Sequence, residues 1–128
     1  MGIVVVLFVL LVMGIIEFGR AWMIANMITH AARDGARAAS VVPPENRTSG
    51  MINSASKTAI SDMVKSQIGN VMNSSGFTVD VTQNANGSTI PTVTLTITGN
   101  VNWLYRLVPG MGATFAVART VTFRDEGR

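Results

Sequence analysis

The chain has 128 residues, room for one domain, and a first helix of roughly forty leaves about ninety to close a small, marginal core. Cysteine is absent, which excludes a disulfide framework, a thiolate metal site and a cysteine nucleophile. The net charge of +3 comes from ten Lys and Arg against seven Asp and Glu, dispersed along the chain. It lacks the gathered basic face, with aromatics beside it, that a nucleic-acid footprint needs.

Met1 to Ile16 carries no charged or strongly polar side chain; Glu17 and Arg20 then appear while the apolar pattern continues to Ile28. A soluble fold leaves no such stretch uncovered, and an ordinary anchor runs about 20 apolar residues without a carboxylate. A helix that leaves the bilayer and packs against copies of itself accommodates both features. No positively charged leader precedes the apolar run, so the chain reads as already processed or recorded without its leader. Val6 stands where a myristoylation signal needs Ser or Thr, and that modification is set aside.

Residues 2 to 41 read as one continuous helix, which Pro43-Pro44 ends by removing donors and pushing Val42 out of helical space. At 1.5 Å per residue it would be about 60 Å long, longer than a small domain is wide, so its lower half must protrude. From Val4 to Leu11 it is apolar on every side, the mark of burial by lipid or by protein all round.

Small residues recur four apart farther along: Ala21 and Ala25; Ala31, Gly35 and Ala39; Ala32 and Ala36. Gly14 and Gly19 add two more small positions. Such spacing lets helix backbones approach closely, although alanine is also simply a good helix former. The glycines favour packing, because a mid-helix glycine costs about 1 kcal/mol relative to alanine.

Pro43 to Gly50 reads as a linker with turn chemistry. A second, amphipathic helix is expected from about Asn53 to Met72, with Ile52, Ala55, Ala59, Ile60, Met63, Val64, Ile68 and Val71 forming one apolar stripe. Three β segments follow, alternating with period two: Phe77 to Thr82, Thr92 to Thr98, and Thr114 to Phe123. Asn84 to Ser88, containing Asn86-Gly87, makes the turn of the first hairpin. Asn100 to Gly112 includes Trp103, Leu104, Tyr105, Leu107 and Val108, too apolar for a free loop, and is expected to fold back or to form a contact surface. Arg119 breaks the apolar face of the last strand and belongs at the sheet's margin or beside an acid. The fold class is therefore α+β: residues 1–41 as a long protruding helix, and residues 42–128 as a head with a second helix and a small antiparallel sheet.

Catalytic chemistry finds little support. His30 lies in a helix between Thr29 and Ala31, where a solvent-facing or interhelical role outweighs that of a general base. A metal site needs three or four convergent ligands, and the acids are scattered. Gly110-Met111-Gly112 has no lysine and reads as a turn rather than a phosphate cradle. No catalytic, cofactor or metal residue is assigned. Glu17 is the exception among ionisable groups, because a carboxylate in apolar surroundings is costly unless paired. Arg20, three residues on, can pair with it within the chain, or Glu17 can also meet a cation of a neighbouring subunit and set register. Asn46, Asn73 and Asn86 open Asn-x-Ser/Thr sequons in expected loops, possible glycosylation acceptors that chance also explains in so Asn-, Ser- and Thr-rich a chain.

The run Gly14-Ile15-Ile16-Glu17-Phe18-Gly19-Arg20, followed by Ala31-Ala32-Arg33-Asp34-Gly35-Ala36-Arg37, closely resembles the TadE-like pilin family of tight-adherence secretion systems. Asp34 replaces the family's usual glutamate, and the ending Val121-Thr122-Phe123-Arg124-Asp125-Glu126 is similar more weakly. The resemblance implies a prepilin-like precursor cut by a prepilin peptidase, held in the inner membrane and delivered to a type IV-type pilus on the cell surface. Val5 departs from the glutamate that pilins carry at the fifth mature position. The reading is a structural, non-enzymatic pilin subunit, without cofactor, that forms a homo-oligomeric helical filament with the help of a pilus assembly machinery. Its rivals are a minor pilin that primes or caps another fibre, and an adhesin or DNA-binding pilin using Trp103, Tyr105 and Arg106.

Overall fold

The computed structural model describes residues 2–69, 76–84, 90–103 and 114–126. Helix α1 runs unbroken from Gly2 to Ser40, 39 residues. Nothing in that stretch removes a backbone donor, and its end is tightened by the Ser40 hydroxyl donating to the Arg37 carbonyl at 2.8 Å. Pro43 then holds an extended backbone and starts a short 3-10 turn, Pro44–Asn46.

The segment expected as a linker is a miniature hairpin. Strand β1, Arg47–Thr48, pairs antiparallel with β2, Met51–Ile52, so that Thr48 faces Met51 across a two-residue turn. Ser49 and Gly50 both have positive φ, 53° and 79°, as the primed turns that match strand twist require. Strands this short carry no periodicity, which is why the sequence pattern reads only as turn chemistry.

Helix α2, Ser54–Gly69, starts where Asn53 caps it: the Asn53 side-chain oxygen accepts the Ser56 N–H at 2.8 Å. Ile60, Val64 and Ile68, spaced by fours, form its buried stripe. The expected continuation to Met72 lies outside the described residues.

Strands β3 (Phe77–Asn84), β4 (Thr92–Asn102) and β5 (Thr114–Arg124) form one antiparallel sheet in that order. The register places Val81 opposite Leu95 and Leu95 opposite Val121, so the apolar residues share one face. Phe77 lies over Gly99, where a Cβ would run into its ring. On the other face threonines line up across the strands, with Thr94 and Thr122 hydroxyls 3.0 Å apart and those of Thr96 and Thr120 3.2 Å apart. Strand periodicity thus follows the sequence pattern, with β3 running on to Asn84 and β4 longer than expected, absorbing Asn100 to Asn102. The turn at residues 85–89 is outside the described residues.

Both helices cover the apolar face of this sheet, α1 against β4 and β5 and α2 against β3. The core joins Ile24, Ile28, Ala32 and Ala36 of α1 to Val64 and Ile68 of α2 and to Val93, Leu95 and Ile97 of β4. Two ties fix the direction of the sheet along α1. The Glu126 N–H donates to the Ser40 carbonyl at 3.0 Å at one end, and Arg20 donates to the Asn102 carbonyl at 3.0 Å at the other. Strand β4 therefore runs down the helix from its C-terminal end toward Arg20. The upper part of α1 is a wall of the head, and the bare helix emerges from the end where β4 finishes.

Candidate assembly surface

Among the described residues nothing covers the lower half of α1. Ile3 to Val12 are all exposed, Ile3 by 83% and Phe8 by 64%, a contiguous apolar surface of a kind that marks a membrane or protein contact. The helix is long and apolar enough to cross a membrane. Exposure does not stop where the head begins: Ile15, Ile16, Phe18, Trp22 and Met23 remain open on the side away from the sheet. Phe18 and Trp22, one turn apart, stack with ring centroids 6.5 Å from each other.

The small residues divide into groups that their spacing alone does not separate. Ala31, Ala32, Gly35, Ala36 and Ala39 are buried in the chain's own core. A Cβ on Gly35 would run into Val64 of α2 and come within 2.8 Å of Leu95 Cδ1 on β4. Those positions let α1 approach α2 and the sheet of the same head. Ala21 and Ala25 are half-buried at the head's lower part. Gly14 and Gly19 are exposed, and a Cβ on either meets nothing within 4 Å, so the described residues of the single chain give no reason for glycine there.

Glu17 is the first buried residue of α1, and it is a carboxylate. Its Oε1 accepts from Arg20 Nη1 at 3.2 Å, and the same nitrogen donates to the Asn102 carbonyl. The i, i+3 spacing puts the two side chains on neighbouring positions of the helix surface. The guanidinium thereby joins the acid on the helix to the last residue of β4. The structure thus shows the pairing within the chain.

A second charged cluster escaped the sequence reading. Arg47 of β1 and Asp125, just past β5, form a two-pronged ion pair, Nη2 to Oδ1 at 2.6 Å and Nη1 to Oδ2 at 2.9 Å. Both side chains are almost fully buried. Arg47 Nε also donates to the Val42 carbonyl at 3.0 Å. Gln83 of β3 donates to Asp125 and to the Gly50 carbonyl, and accepts the Ile52 N–H at 2.8 Å. The knot joins the end of α1, the small hairpin, β3 and the tail of β5. Arg47 and Asp125 stand 78 positions apart. No local pattern links residues so distant; only the alignment of the sheet beside α1 brings them together.

The other expected positions fall on the surface or out of view. His30 and Asn46 are exposed, and Arg119 is exposed on the edge strand β5. Trp103 packs on Phe115 with ring centroids 4.7 Å apart. Asn73, Asn86, Tyr105 and Arg106 lie outside the described residues. Among the described residues no three His, Cys, Asp or Glu side chains gather to hold a metal. What the arrangement offers chemically is contact: an uncovered apolar rod, two bare glycines and a charge pair where rod meets head.

Comparison with known proteins finds a similarity confined to the helix. The family model described as TadE-like protein matches residues 1–37, the segment that carries both motifs of the resemblance. That family is structural and non-enzymatic. No curated protein and no solved structure matches the chain.

Proposed function

We propose that this chain, TadE-like over residues 1–37, is a structural pilin subunit that polymerises into an extracellular filament. Before assembly α1 holds it in the inner membrane. The pilus assembly machinery then moves α1 into the apolar core of a helical fibre and leaves the head outside. One observation carries this reading: α1 is bare from Ile3 to Val12, while the same helix from Ile24 to Ala39 is built into its own head. A rod rigidly fixed to a head and apolar all round finds cover in lipid and afterwards in copies of itself. Contacts between such copies need not close into a ring, and a head-to-tail arrangement that does not close grows a fibre.

Burying a large aliphatic side chain of that rod contributes roughly 1.5–3 kcal/mol relative to water, but much less relative to lipid. Transfer from membrane to fibre therefore rests on close packing and polar pairing more than on apolar area. Gly14 and Gly19 are assigned to that close approach between subunits, and Glu17 with Arg20 to register.

Sheared surface appendages, imaged and analysed by mass spectrometry, test the proposal. The chain is expected as the main component of the fibres. A trace amount in fibres built of another protein would transfer the reading to a minor pilin that primes or caps them. Full-length protein that stays dispersed as single copies in detergent-free buffer would overturn polymerisation through α1.

A further inference from the structure

On α1 the apolar surface and the head overlap. The first residue the head buries is Glu17, yet on the opposite side of the helix the last large exposed apolar residue is Met23. Above it the outward side turns polar with Asn26, His30 and Arg33, all exposed. Six residues of helix rise about 9 Å. A bilayer is about 40–45 Å thick around a hydrocarbon core of about 30 Å, which leaves a headgroup layer of about 5–8 Å on each side. The overlap is deep enough to span that layer.

The residues within the overlap have the matching chemistry. Phe18 and Trp22 stack on the outward side, both well exposed. Arg20, with 28% of its side chain exposed, bonds the Asn102 carbonyl, and Trp103 follows at the foot of β4, half-buried against Phe115. Trp has an apolar body and a polar N–H, and it concentrates where hydrocarbon meets water. Arginine lays its stem on apolar surface while its head reaches phosphate or water.

We infer that this end of the head is a docking surface for lipid headgroups, with Trp22 on the helix and Trp103 at the foot of the sheet seated in the interfacial layer around Arg20. The head rests on the membrane and is not held above it. The inference deepens the membrane-held state proposed above and rests on it. It names the contact surface that must be released when a subunit leaves the bilayer.

The chain has only two tryptophans, so each substitution leaves a single reporter. Full-length Trp103→Phe and Trp22→Phe proteins are reconstituted into liposomes carrying a quencher near the headgroup or deep in the acyl chains. Trp22 and Trp103 are each expected to lose more emission to the shallow quencher than to the deep one. The unsubstituted protein should show the same order, which guards against a misfolded variant. Protein that floats with the liposomes while Trp103 keeps its emission with both quenchers overturns the docked head. A Trp22 shielded from both lipid quenchers and from aqueous iodide assigns the stripe to a second copy, and overturns the proposal too. Failure to float with liposomes at all removes the membrane-held state itself, which separates that failure from the other two.

Discussion

Asp125 and Arg47 show at residue scale how much depends on a pair that no local pattern announces. Each charge is nearly sealed from water, so neither is tolerable alone. Asp125→Ala is expected to destabilise the full-length protein in detergent by about 3–5 kcal/mol, because it strands a buried guanidinium. Replacing both at once, Arg47→Met with Asp125→Leu, should recover most of that loss in the same denaturant titration, since no uncompensated charge remains. A double variant as unstable as the single one would assign the cost to the surrounding carbonyls and to Gln83, which also bond the pair.

Gly35 is a residue-scale case with the opposite physics, where the difficulty is volume and not charge. Its substitution by alanine gains about 1 kcal/mol of helix propensity but forces a methyl against Val64 and Leu95. Overpacking costs about 1–3 kcal/mol, so Gly35→Ala is expected to lower the unfolding midpoint.

The contact between α1 and α2 becomes visible when that residue is treated as part of an element. Val64 is the side chain a Gly35 methyl would meet first, and it is fully buried. Val64→Ala alone opens a cavity, while Val64→Ala with Gly35→Ala fills it from the other helix. The two changes should be less costly together than the sum of the separate costs, by about 0.5–3 kcal/mol in a double-mutant cycle. Strict additivity would mean that the helices do not share this contact. The sheet shows the same logic in Phe77 and Gly99, where a large ring occupies the space a missing side chain leaves.

Along α1 itself, Gly14 and Gly19 give a contrast with Gly35. Both are open among the described residues, so Gly14→Leu and Gly19→Leu should leave the unfolding midpoint in detergent unchanged or slightly raised. Fibre yield should nevertheless fall, because a leucine side chain holds neighbouring helices apart where glycine admits close approach. Normal fibre yield from both variants would remove the glycines from the subunit contact.

At the scale of the whole molecule, the division of α1 into a bare rod and a built-in wall determines what can move and what cannot. The head is tied to the helix at both ends, through Ser40 and Glu126 and through Arg20 and Asn102, so rod and head travel as one body. Glu17 sits at the transition. Glu17→Gln keeps its shape and removes its charge, and is expected to reduce the yield of ordered fibres more than the stability of the subunit. Unchanged yield on electron-microscope grids would end the proposal that this charge sets subunit register.

Much of this was legible in the chain itself. Forty residues without proline, ended by Pro43-Pro44, give a helix that stops at Ser40; Asn53 marks the start of α2; and the period-two threonine segments become β3, β4 and β5. Those signals are local, set by backbone donors, side-chain periodicity and capping within a few residues, and so the α+β class and the exposed apolar rod follow without the fold. Tertiary structure alone decided which small residues face inward, since Gly35 and Gly14 are the same residue in the same helix and differ only in what lies opposite. It alone joined Arg47 to Asp125, and it alone turned Pro43 to Gly50 from a linker into a hairpin. Each of these depends on where distant segments meet, and spacing along the chain does not carry that information.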